Sequence, residues 1–209
     1  MARIYFTGSI DYRKIYRLFD ESAVGAVTPL TADCGTVCGG ACCRDLSAGC
    51  GDAVSPSGML LFPHEGEESA PIRENWPEAQ IFPAGQESLF VCGGHCPREK
   101  RPLACRLFPL FPYYGEDGRI RAVYDPRAWR VCPLVRERAH VPLRRDFVRA
   151  VCRTGRLVAR TEEGRGFLKR QSEEIDEINR FLRLDRERAP ICRKSLRGDP
   201  AAERMNNAE

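Results

Sequence analysis

Leu107-Phe108-Pro109-Leu110-Phe111-Pro112-Tyr113-Tyr114, then Gly115-Glu116-Asp117-Gly118, then Arg119-Ile120-Arg121-Ala122-Val123-Tyr124, sets two apolar runs around four turn-forming residues. The order predicts a β-hairpin. Its return run alternates Ile120, Ala122 and Tyr124 against Arg119, Arg121 and Val123, the two-residue period of a strand with unlike faces. Pro109 and Pro112 cannot donate to a ladder, which favours an edge position for the first strand.

Downstream of Cys132-Pro133 the pattern turns helical. Pro142 suits the first turn of a helix in which Phe147, Val148 and Val151 make an apolar stripe. A second helix is predicted from about Gly166 to Leu184, with Leu168, Ile175, Ile178 and Leu182 at helical spacing and Glu173, Glu174, Asp176 and Arg180 facing water. Residues from Ala189 onward are polar and carry Pro190 and Pro200, a fraying tail. Upstream of the hairpin, Pro56, Pro63, Pro71, Pro77 and Pro83 exclude a long helix over residues 51–88. Short strands are expected at Gly58-Met59-Leu60-Leu61-Phe62 and at Ser88-Leu89-Phe90-Val91. Residues 1–30 read as a short strand and a helical turn anchored by Ile10, Ile15, Leu18 and Phe19. The expected class is α+β: a small irregular cysteine-rich β/loop metal-binding domain over residues 1–135, a basic helical segment packed on it over 136–188, and a polar tail over 189–209.

The 209 residues, 43% hydrophobic and 30% charged, fit one ordinary globular domain with a helical appendage. No run approaches the length of apolar sequence that a membrane span needs. The first residues meet Asp11, Arg13 and Lys14 before any signal-peptide core can form, so the expected address is the cytoplasm and no membrane partner is expected. In that reducing compartment the 11 cysteines point to metal or redox chemistry rather than disulfides. Charge is unevenly placed. Arg136 to Arg197 holds 18 Lys and Arg against 10 Asp and Glu, while the remainder of this net +4 chain is slightly acidic.

The cysteines cluster as Cys34-x3-Cys38-x3-Cys42-Cys43, then Cys92-x3-Cys96-x8-Cys105, then Cys132. Eight thiolates can complete two tetrahedral sites, or an iron–sulfur cluster and a zinc site. No C-x2-C pair is present, which removes zinc-ribbon knuckles and the thioredoxin-like motif, and neither ferredoxin spacing occurs. The glycines among Cys34 to Cys50 read as a metal-wrapping loop. Structural zinc supplies on the order of 10–16 kcal/mol, enough to order roughly ten residues at about 1–2 kcal/mol each. Thiolate centres carry negative charge, and Arg44, Arg98, Lys100, Arg101 and Arg106 lie close in sequence. Arg101 and Arg106 are the candidates for hydrogen-bonding the sulfurs from behind.

At these residues the chain resembles the zinc- or iron-chelating cysteine-cluster family, the YkgJ type. The resemblance rests on Cys34, Cys38, Cys42-Cys43, Cys92, Cys96, then Arg101-Pro102-Leu103-Ala104-Cys105-Arg106-Leu107-Phe108-Pro109, then Cys132. It covers roughly residues 31–135. The family's opening usually reads C-x2-C-x2-4-C-C, whereas three residues separate Cys34 from Cys38 here. The resemblance implies metal chelation by the eight cysteines. Some members are labelled iron–sulfur oxidoreductases, and a flagellin lysine-methylating relative shares the signature. Neither activity carries over, because this chain has no G-x-G-x-x-G and no C-x3-C-x2-C.

The expected cofactor is therefore zinc or an iron–sulfur cluster. The first makes an interaction module and the second an electron-transfer protein or oxidoreductase with an unidentified redox or protein partner. Cys50 and His95 are substitute ligands, Cys152 a buried structural thiol, and Cys192, His64 and His140 carry no assigned role. Arg144, Arg145, Arg149, Arg153, Arg156 and Arg160 raise nucleic-acid binding as a competitor. Interleaved acidic residues and scarce aromatic partners favour a solvated helical face instead.

Overall fold

The computed structural model describes residues 9–20, 27–43, 58–67, 72, 80–91, 98–136 and 142–182. The hairpin forms where the sequence places it. β4 (Leu110–Tyr114) pairs antiparallel with β5 (Ile120–Tyr124), in the register Leu110 to Tyr124 and Pro112 to Ala122. Gly118 closes the turn at φ 72°, a conformation that costs glycine little, and donates to the Gly115 carbonyl at 2.8 Å. Both strands are edges of a two-stranded sheet, so Pro112 interrupts no second ladder.

Two helices cover this hairpin. In α5 (Arg145–Val158), Phe147, Ala150, Val151, Thr154, Gly155 and Val158 are buried at three- and four-residue intervals. In α6 (Glu162–Phe181), Gly164, Phe167, Leu168, Gln171, Ser172 and Ile175 do the same. Both helices pack on β4. Gly155 is where α5 comes closest, since a Cβ there would stand 2.7 Å from Ile120 and Pro112. The helix expected to begin near Gly166 begins four residues earlier: Thr161 caps it by accepting from the Gly164 amide at 3.0 Å, and Glu162 and Glu163 occupy the positive end of its dipole.

α1 (Tyr12–Asp20) buries Tyr12, Ile15, Tyr16 and Phe19 against the same centre. Phe62, Phe111 and Phe167 meet there, with Phe62 and Phe167 ring centroids 4.8 Å apart. Cys152 is 1% exposed within this core, as its helical position predicts. The strand expected before α1 falls within residues 1–8 and lies outside the described residues.

A second sheet of order β1–β3–β2 stands beside it, built of β1 (Met59–Leu61), β2 (Gln80–Ala84) and β3 (Glu87–Val91). β1 and β3 match the two short strands read from sequence. β2 is an addition. Pro83 and the inconspicuous turn Gly85-Gln86 hide it, yet Gly85 at φ 64° supplies the reversal that pairs Phe82 with Leu89. The class is α+β.

Candidate functional site

Asp33 sets up the first cysteines. Its side chain accepts from the Gly35 amide, capping α2 (Cys34–Cys38), and Gly39 at φ 62° ends that helix in the left-handed conformation. A second short turn, the 3-10 helix Ala41–Cys43, follows. The loop expected over these residues is thus helical, because a capping aspartate and a terminating glycine bracket the cysteine pair. Helical geometry also gives the C-x3-C spacing a meaning. Residues i and i+4 share one face a turn apart, so Cys34 and Cys38 present their thiols together.

Cys132 comes from the far end of β5, after the 3-10 helix Pro126–Arg130. It is 7% exposed, and its sulfur accepts from the Leu134 and Val135 amides at the start of α4 (Pro133–Arg136). Burial pushes the Cys132 thiol up, those two amides pull it down, and the charge of Cys38 pushes it up again. Cys34 is pushed up to about 11 by burial first, then by Asp33 and Cys38, against Arg98 and Arg101. Cys38 therefore lies within electrostatic reach of both Cys34 and Cys132. Three thiols distant in sequence share one neighbourhood, and their mutual repulsion as thiolates favours the protonated forms.

The cations beside them come from the segment that precedes α3 (Leu103–Leu107). Arg98 and Arg101 approach Asp33 Oδ1 at 3.7 and 3.8 Å. Arg98 also donates from Nη2 to the Val27 carbonyl at 2.6 Å. Arg106 sits elsewhere: fully buried, it pairs with Asp20 at 2.6 Å, donates from Nε to the Arg101 carbonyl at 2.7 Å, and lies 4.2 Å from the centroid of the Tyr16 ring. The partners seen for it are oxygens and an aromatic face, which tie α3 to α1. The neighbouring Leu103 amide donates to Glu65, a fully buried carboxylate that also accepts from Tyr16 and the Phe62 amide. Burial pushes the Glu65 carboxyl up even though those three donors pull the other way.

Of the expected ligands, Cys42 is exposed and Cys105 is half-buried on α3. Cys92, Cys96 and the Cys43 side chain lie outside the described residues, as do Arg44, Cys50, His95, His140 and Cys192. Among the described residues, no three His, Cys, Asp or Glu side chains are gathered closely enough to hold a metal ion. No family model, no curated protein and no solved structure matches this chain. The family resemblance accordingly rests on the cysteine spacing and the segment from Arg101 to Pro109.

Two features escape the sequence reading. His64 faces Glu67 through Nδ1 and Glu163 through Nε2, bridging the turn after β1 to the first turn of α6 beside a cleft of about 270 Å³. Nothing local signals this, since Glu163 is 99 residues away. A second cleft of about 300 Å³, between the hairpin turn and the helices, is lined by Arg119, Arg156, Arg165 and Tyr114. Its arginines come from three separate elements, which charge counting along the chain does not reveal. No helix among the described residues is long and apolar enough to cross a membrane.

Proposed function

We propose that this is a metal-binding protein of the cytoplasm, holding zinc or an iron–sulfur cluster through Cys34, Cys38, Cys42, Cys43, Cys92, Cys96, Cys105 and Cys132. One observation carries the reading: a helical i,i+4 thiol pair and a thiol nearly a hundred residues later share an electrostatic neighbourhood. The chemistry of the described donors agrees with it. They are free thiols whose repulsion a cation would relieve, because metal ligation inverts the local proton preference and deprotonates the sulfur. A nucleophilic cysteine needs the opposite setting, a depressed thiol. Cys34 and Cys132 both run upward.

Bound zinc would be a closed structural centre, and an iron–sulfur cluster would supply one-electron chemistry. The residues seen here would hold Cys34 and Cys38 in register through Asp33 and Gly39, and would fix Cys132 through two backbone amides. Anaerobic purification of the full chain, with metal analysis and a visible spectrum, tests the reading. Stoichiometric zinc in a colourless protein, or iron and sulfide in a brown one, is the expected result. A folded protein that carries neither metal sinks the proposal.

A further inference from the structure

Arg98 stands beside Cys34 with a donor left over. Its side chain is 9% exposed, and Nη1 and Nη2 face Asp33 and the Val27 carbonyl. Its Nε–H is buried and has no hydrogen-bond partner among the described residues. A buried donor left unmade costs roughly 1–3 kcal/mol, so native proteins retain few of them without a use. The neighbouring thiol is Cys34, the largest electrostatic influence that favours the charged guanidinium. A neutral thiol is a weak acceptor, whereas a metal-bound thiolate is a charged one that takes N–H donors readily.

We infer that Arg98 is the buried cation of the thiolate centre, its Nε–H donating to the Cys34 sulfur when that sulfur ligates metal. The inference rests on the metal-binding reading above and adds to it a positioning residue that the sequence does not single out among five basic neighbours. The guanidinium then works in two directions at once. Nη1 and Nη2 hold the arginine to the chain around α2, while Nε addresses the sulfur. Lysine cannot do both, because it is a point charge without a fork.

The test uses the full chain as wild type, Arg98→Gln and Arg98→Lys. Each is titrated with zinc(II) against a chromophoric chelator under reducing, anaerobic conditions, and the zinc-free forms are compared by thermal unfolding. Arg98→Gln is expected to bind zinc roughly 10–100-fold more weakly. Arg98→Lys keeps the charge and recovers only part of that loss. In the cobalt(II) forms, the thiolate-to-metal absorption moves to longer wavelength when the donor to sulfur is removed. A purely structural arginine behaves differently: its loss lowers zinc-free stability while the zinc affinity and the cobalt spectrum of the folded fraction stay as in the wild type. That result in Arg98→Lys, the variant better able to keep the fold, overturns the assignment while leaving the metal reading intact. A wild-type chain that binds neither zinc nor cobalt overturns both.

Discussion

The hairpin side and the cysteine side of this molecule close by different means. Around β4 and β5, closure is apolar: α1, α5 and α6 lay Phe19, Phe147, Phe167 and Ile175 onto one buried cluster. Around α2 and the residues before α3, the described contacts are a capping aspartate, two arginines, thiols and a few backbone carbonyls, and α2 itself buries no residue. Apolar burial is worth about 25 cal/mol per Å² and needs no ligand. A five-residue helix with exposed Val37 on it has little such surface to draw on. One side is therefore expected to stand by itself, and the other to depend on what the thiols hold. Glu65 and Arg106 lie where the two meet.

The largest effect belongs to the apolar side. Phe167 is 1% exposed and packs against Phe62 and Phe111. Phe167→Ala is expected to cost about 3–5 kcal/mol in urea unfolding, with or without a metal chelator present. A loss that appears only in the chelated protein would show that the hairpin side also leans on the thiol centre, and the contrast would be gone.

Glu65 tests the junction. One oxygen accepts from the Tyr16 hydroxyl and the Leu103 amide, and the other from the Phe62 amide. Glutamine fits the space but turns an NH₂ toward one of these donors. Glu65→Gln should cost about 1–3 kcal/mol and speed amide exchange at Leu103, the first residue of the helix that bears Cys105. Unchanged exchange at Leu103 would mean that α3 is held by other contacts, with Arg106 and Asp20 the first to examine.

Cys132 sharpens the contrast from the other direction. Its sulfur stands as a helix cap, a position at which a serine hydroxyl serves well. Cys132→Ser should leave metal-free stability within about 1 kcal/mol of wild type, because Leu134 and Val135 keep an acceptor. Metal uptake should fall while the near-ultraviolet signal of the apolar core persists. Full metal occupancy in this variant would remove Cys132 from the ligand set.

These contrasts explain what the sequence can disclose. The hairpin and both long helices follow from local rules, a period of two with a glycine-bounded turn and periods of three to four with apolar stripes. They are legible because each residue's face is set by its near neighbours. The start of α6 is obscured because Gly164 and Gly166 dilute its pattern, although Thr161-Glu162-Glu163 spells a cap. β2 is obscured because Pro83 masks a strand that has its ladder on one side only. At the site, the spacing of Cys34 and Cys38 is visible, but its helical meaning requires Asp33 and Gly39 to be read as punctuation. Arg98, Arg101 and Arg106 look alike along the chain. Only packing separates the arginine beside a thiol from the one clamped on Asp20 and Tyr16, because that distinction depends on residues tens of positions away.

The smallest expected effect concerns pH and lies on neither side's main support. The His64 ring meets a carboxylate at each nitrogen, Glu67 and then Glu163, and both contacts are hydrogen bonds only when both nitrogens carry protons. Glu67 first, then Glu163, raise the folded-state pKa of His64 above its ordinary value of 6.5. A group raised on folding adds stability that is fully present below its unfolded value and is lost as pH climbs through its folded one. Wild-type stability should thus decline as pH rises from near neutrality into the mildly alkaline range. His64→Gln should flatten that slope, and the other histidines, common to both proteins, cancel in the difference. The ring is 44% exposed, so solvent screening holds the effect below about 1 kcal/mol. Because the turn after β1 also carries Glu65, loss of the imidazolium should quicken amide exchange at residues 62–67 and at the first turn of α6 together. Exchange that quickens at only one of these two places would show that His64 decorates the turn without bridging it.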